Sequence, residues 1–180
     1  MPEHKRRLVE RITEESYAQG LAERSMDQLR AMREECKEGE NELSFERRLV
    51  QARTDILGAE LQRRAAGAGE DLVERLPEIL KTQATGDFDT PLPSRAPDFS
   101  IPRNVDRPRR RVEEIVGEQT LARLPTLGTD EIRGIIATLE THERQLSSRR
   151  KRVHEVMDAI QAEIVRRYRS GEADPTAALG

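Results

Sequence analysis

The chain has no Trp, only 3% aromatic residues and a single cysteine. So little bulky apolar material cannot fill a thick globular core, whereas long helices packed along narrow seams need less. Cys36 cannot close an internal disulfide, and nothing at the N-terminus combines a basic segment, an apolar core and a small-residue cleavage site, so the cytoplasm is the expected compartment. The apolar runs are a few residues long, far short of the ~20 that a membrane helix requires. No segment carries a one-sided basic, aromatic-rich face suited to lying on lipid, so no membrane association is expected.

Charge is what the chain has in abundance: 36% of its 180 residues are Asp, Glu, Lys or Arg, for a net charge of −3. The distribution is uneven. From Glu140 to Arg169 there are eight Lys or Arg against five Asp or Glu, so an anionic ligand would be drawn to that stretch. Overall acidity and the scarcity of stacking aromatics argue against direct DNA binding. The RPRRR run at 107–111 lies in a Pro-rich segment and reads as a solvated charge run.

Punctuation residues divide the chain. Residues 1–26 alternate apolar anchors such as Leu8, Ile12, Tyr17 and Leu21 with dense charge, as an amphipathic helical segment interrupted near Gly20 would. Residues 27–66 contain no Pro, and a long helix is predicted there, ending in the Gly-rich AAGAG. Residues 67–128 form a connection: a short helix at 70–81, a linker at 82–110 containing Pro91, Pro93, Pro97, Pro102 and Pro108, and a short helix from Val112 to Leu124. A second long helix is predicted over 129–170, with Thr129 as its N-cap and Asp130 and Glu131 in the first turn. Residues 171–180 read as a tail.

Both long segments carry an apolar seam, Leu43, Val50, Leu57 and Leu61 in one, Leu146, Val153, Met157, Ile160 and Ile164 in the other. The predicted fold is therefore all-α: an elongated antiparallel two-helix coiled-coil hairpin with an additional N-terminal helical segment and a long Pro-rich linker.

Beside each seam runs a polar stripe. Glu40, Ser44, Arg47, Gln51 and Asp55 are spaced four, three, four and four residues apart. At about 100° per residue they fall within roughly 80° of one another on a helical wheel. Glu143, Ser147, Arg150, His154 and Asp158 repeat the spacing 103 residues later, with His154 exchanged for Gln51. Arg presents a planar fork of donors that matches the O6 and N7 acceptors of guanine and also pairs with phosphate. Asp and Glu accept from guanine N1–H and N2–H₂, and Ser, Gln or His reach phosphate or ribose oxygens. One such stripe alone reads as ordinary i,i+4 contacts on a wet helix face, worth about 0.2–0.5 kcal/mol per pair. Its duplication beside the same seam favours a binding site for a ligand with repeated guanine and phosphate units. His4, His142 and His154 are not at paired metal spacing with Cys36 or each other. No catalytic triad, phosphate-binding glycine loop or reactive Cys context is present, and no enzyme is expected.

Both stripes follow Glu-x3-Ser-x2-Arg-x3-Gln-x3-Asp, apart from His154, and with the surrounding LSFERRLVQARTDILGAEL and SSRRKRVHEVMDAIQAEIVRRY the chain resembles the RsiG family of actinobacterial anti-sigma factors. The resemblance covers residues 27–66 and 129–170. It implies a helical hairpin whose stripes bind an intercalated pair of cyclic-di-GMP molecules, and a ligand-loaded protein that sequesters WhiG, a flagellar-type sigma factor directing sporulation genes. It also implies that Arg47 and Arg150 take guanine or phosphate, that Asp55, Asp158, Glu40 and Glu143 accept from guanine edges, and that Ser44, Ser147 and Gln51 complete the contacts. His154 departs from the family pattern. The competing reading is a coiled-coil scaffold or adaptor without a small ligand.

Overall fold

The structure, a computed structural model, describes residues 8–65 and 110–173. The short helix expected at 70–81, nearly all of the Pro-rich linker and most of the tail lie outside the described residues. In order, the chain forms α1 (Leu8–Ile12), 3-10 turns at Glu15–Ala18 and Leu21–Glu23, α2 (Met26–Ala65), α3 (Arg111–Ile115), α4 (Glu118–Ala122), a 3-10 turn at Leu124–Thr126 and α5 (Thr129–Ser170). No strand occurs among the described residues, and side chains of α2 bond to side chains of α5, in keeping with the all-α fold class expected.

The element order contains its own duplication. α3 begins 103 residues after α1, α4 begins 103 after the first 3-10 turn, the turn at Leu124 begins 103 after that at Leu21, and α5 begins 103 after α2. The repetition therefore extends well beyond the two polar stripes.

Buried positions explain why these helices pair. In α2, Leu29, Cys36, Leu43, Val50 and Leu57 recur every seven residues and are all buried. In α5, Ile132, Leu139, Leu146, Val153 and Ile160 do the same. A strict seven-residue repeat keeps one seam facing a partner helix when both supercoil. Cys36 belongs to this seam, and its burial pushes the thiol up to about 11.

The chain divides into two compact units. Unit 1 joins residues up to Ser44 with those from Ser147 onward, and unit 2 spans Phe45–Leu146. Each unit thus combines the start of one repeat with the end of the other repeat's long helix. In unit 1, Arg30 reaches Tyr168, Arg33 reaches Gln161 and Glu40 reaches Arg150, so α2 advances as α5 recedes. In unit 2, Arg47 reaches Glu143 while Arg64 reaches the carbonyls of Leu127 and Leu124, again antiparallel.

Within unit 1, Tyr17 donates its hydroxyl to Glu35 at 2.7 Å and Arg11 pairs with the same carboxylate at 2.8 Å, fastening the N-terminal turns to α2. Gly39 lets them come close: a Cβ there would meet Ile12 Cδ1 at 2.9 Å. Gly20, with φ of 64°, supplies the left-handed turn between the two 3-10 segments. α2 then starts on a reciprocal cap, Gln28 N–H donating to Ser25 Oγ at 3.2 Å and Ser25 N–H to Gln28 Oε1 at 2.9 Å.

Each long helix ends in a clasp. In unit 2, the carboxylate of Glu60, 2% exposed, accepts from Arg63 and Arg64. Arg64 in turn donates to Leu127 O at 2.7 Å and Leu124 O at 2.9 Å, just before α5. In unit 1, Glu163 holds Arg166 and Arg167, and Arg167 donates to the carbonyls of Leu21, Ala22 and Arg24, just before α2. The Arg63 and Arg166 contacts lead the effects that hold Glu60 and Glu163 at about 2.

Two local expectations are corrected. The single helix predicted from Val112 to Leu124 is broken: Val116 is extended, with φ −139° and ψ 94°, and Gly117 caps a new helix. Val112 and Val116 are both fully buried, and burying Val116 outweighs the helical hydrogen bonds forgone. Thr129 is the first helical residue of α5 rather than its N-cap, because the Gly128 carbonyl already accepts from Ile132 N–H at 3.0 Å.

Candidate functional site

Helical spacing sets both stripes beside the buried seam, and the two units divide them. Unit 2 holds Arg47, Gln51 and Asp55 of α2 with Glu143 of α5. Unit 1 holds Glu40 and Ser44 of α2 with Ser147, Arg150, His154 and Asp158 of α5.

In unit 2, Arg47 Nε donates to Glu143 Oε1 at 2.6 Å, with the two side chains 33% and 27% exposed. Next to this pair lies a recess of about 270 Å³, lined by Gln51, Asp55 and Glu143 of the stripes together with Val50, Thr54, Glu140 and Arg144. Asp55 Oδ2 is buried without a hydrogen-bond partner, and burial shifts its carboxyl upward from the ordinary aspartate value. An acceptor held in that state is complementary to a donor from a ligand.

In unit 1, the chemical pair recurs with the helices exchanged: Arg150 Nε lies 3.2 Å from Glu40 Oε1. Ser44 Oγ donates to the same Glu40 oxygen at 2.7 Å. His154 Nε2 lies 3.5 Å from it, an electrostatic contact too long for a well-formed hydrogen bond. Asp158 is exposed, unlike its half-buried counterpart Asp55.

The structure therefore brings each stripe arginine to the stripe glutamate of the other helix. Thr54, Glu140 and Arg144, which join the unit 2 recess, were not singled out by sequence. Thr54 lies on the Gln51–Asp55 flank and Arg144 follows Glu143, so adjacency to the motif was the available signal. Among the described residues, no group of three or more His, Cys, Asp or Glu side chains is placed to hold a metal ion. None of the described helices is long and apolar enough to cross a membrane.

The same polar set thus stands in both repeats, with the arginine and its glutamate partner exchanged between helices. A protein-family model described as RsiG-like matches residues 15–80 and 118–179, and the chain belongs to that family. The match reaches into the N-terminal turns and α4, beyond the helices that carry the stripes. No curated protein matches the chain. Family membership points to an anti-sigma-factor role and so to a sigma factor as partner.

Proposed function

We propose that the protein is an anti-sigma factor gated by cyclic-di-GMP, binding the nucleotide through Glu40, Ser44, Arg47, Gln51 and Asp55 with Glu143, Ser147, Arg150, His154 and Asp158, and sequestering a WhiG-like sigma factor when loaded. The observation that carries this reading is the exchanged pairing of Arg47 with Glu143 and of Arg150 with Glu40. Both pairs are partly exposed, where an ion pair contributes only about 0.2–1 kcal/mol. A bidentate arginine contact to a guanine edge is worth about 1–3 kcal/mol. A guanine ligand can therefore displace either glutamate from its arginine, and the released carboxylate is then an acceptor for guanine N1–H and N2–H₂. Asp55, with one oxygen already lacking a donor, gains one.

Cyclic-di-GMP supplies both the guanine donors and the phosphates this residue set suits. By linkage, if the nucleotide tightens sigma-factor binding, the sigma factor tightens nucleotide binding by the same factor, with couplings of about 1–3 kcal/mol typical. Calorimetry with cyclic-di-GMP, with and without a WhiG-like sigma factor, tests the gate. Tighter complex formation with nucleotide is expected, and equal affinity in both conditions refutes it. A scaffold without a ligand would ignore the nucleotide and would be unaffected by loss of Arg47 or Arg150.

A further inference from the structure

Resting on the nucleotide reading above, we infer that the two halves of the site are not equivalent: the unit 2 recess is the primary guanine-nucleotide subsite, and Arg144 and Thr54, outside the five-residue motif, complete it. The 103-residue repetition allows the halves to be compared position by position. Gln51, Thr54 and Asp55 correspond to His154, Met157 and Asp158, and Arg144 corresponds to Asn41.

The exchanges of Thr54 for Met157 and of Arg144 for Asn41 open the unit 2 half and close the unit 1 half. Thr54 lines the recess, whereas Met157 is 7% exposed and takes its place in the core of unit 1. Gln51 lines the recess, whereas His154 lies against Glu40. A ligand that uses Glu40 must therefore compete with Arg150, His154 and Ser44 at one oxygen. In unit 2, Asp55 holds a buried oxygen with no donor, so a guanine edge gains a bond there without breaking one.

The charges explain why Arg144 is needed. Asp55, Glu140 and Glu143 all line the recess and would repel the phosphates of an anionic nucleotide. Arg144 is the cation lining the same recess. It is exposed, and its donation to Thr141 Oγ1 at 3.0 Å is a contact with a neutral group that a phosphate readily outcompetes. The acidic groups then serve the guanine edges while Arg144 serves phosphate. At the corresponding place in unit 1 stands Asn41, which is buried and uncharged.

The test is calorimetric titration of cyclic-di-GMP into the full chain and into Arg144→Asn, Thr54→Met and Arg149→Asn, each checked for helix content. Arg149 is exposed on α5 and does not line the recess, so its variant controls for the lost charge. Arg144→Asn should weaken the tighter binding step about tenfold, or 1.4 kcal/mol. The difference should shrink as salt is raised. Thr54→Met, which imports the unit 1 residue, should weaken the same step. Arg144→Asn binding as tightly as Arg149→Asn, or losing affinity only in the weaker step, overturns the inference and leaves the nucleotide reading intact. No binding by the unaltered chain refutes the nucleotide reading and this inference with it.

Discussion

Arg64→Ala is the most direct probe of how the helix ends are held. Arg64 donates Nε to Glu60 at 2.6 Å, Nη1 to Leu127 O at 2.7 Å and Nη2 to Leu124 O at 2.9 Å. Truncation removes all three bonds, but it does not orphan every partner. Glu60 keeps two bonds from Arg63, and Leu124 O keeps the N–H of Leu127 at 3.2 Å. The cost should therefore fall below the roughly 3–5 kcal/mol of breaking a buried ion pair outright. It should exceed the ~1 kcal/mol ceiling of an exposed pair, because the hydrogen bonds are charge-assisted and Glu60 is buried.

An expected loss of about 2–3 kcal/mol results. At roughly 2–4 °C per kcal/mol for a chain of this size, the melting temperature should fall by about 5–10 °C. Thermal melts followed by far-ultraviolet circular dichroism at pH 7 measure it. Arg166→Ala provides the comparison, since Arg166 binds Glu163 and Glu172 at the surface and no backbone carbonyl. Its shift should be much smaller. If Arg64→Ala melts with the wild type, or no lower than Arg166→Ala, the clasp does not hold the helix end.

Acid should loosen both clasps: Glu60 and Glu163 are depressed from about 4.5 to about 2, so their stabilisation is complete above the higher value and lost as pH falls through the lower. Melting temperatures should decline below about pH 4.5, less steeply in Glu60→Gln, and equal slopes for the two proteins would remove Glu60 from the account. Two glycines should respond in opposite directions. Gly39→Ala drives a Cβ into Ile12 Cδ1 and should cost about 1–3 kcal/mol, whereas Gly134→Ala, in open space on exposed α5, should gain about 0.5–1 kcal/mol, both read from urea titrations. Asp55→Asn should leave the free protein's melting temperature at pH 7 unchanged or raised while weakening cyclic-di-GMP binding, because the carboxyl's raised pKa means that its charged form is destabilised by burial. A clear loss of stability in the ligand-free variant would refute that cost.

What periodicity can express was legible in the sequence. Leu43, Val50 and Leu57 face inward because the same spacing repeats along α2, and Leu29 and Cys36 continue it by the same rule. Val116 was not legible. Its neighbours favour one continuous helix, and only the burial of its side chain makes the broken form better. The clasps were hidden for another reason. Glu60, Arg63 and Arg64 in sequence look like an ordinary surface i,i+3 and i,i+4 set, and nothing local announces that Leu124 and Leu127 will offer their carbonyls. The signal that could have found them is the repetition, since Glu163, Arg166 and Arg167 stand at the same 103-residue offset as the stripes. Of the candidate site, the stripe residues were legible from spacing, but the recess walls contributed by Thr54, Glu140 and Arg144 depend on how α5 meets α2 in unit 2.

The division of each stripe bears on how a ligand could act. In neither unit does the stripe arginine share a helix with the stripe glutamate. Arg47 finds Glu143, and Arg150 finds Glu40, so the polar set of each unit needs residues from both α2 and α5. Any ligand that engages an arginine from one helix and a carboxylate from the other binds only the paired state. Mass action then makes occupancy a contribution to that pairing, about 2.7 kcal/mol at a ligand concentration one hundred times the dissociation constant. This is comparable to the expected cost of losing Arg64, so ligand and clasp act on helix pairing with similar force. A sigma factor that reads a surface built jointly from α2 and α5 would sense such a ligand through the pairing itself, in addition to any contact with the ligand's exposed edge.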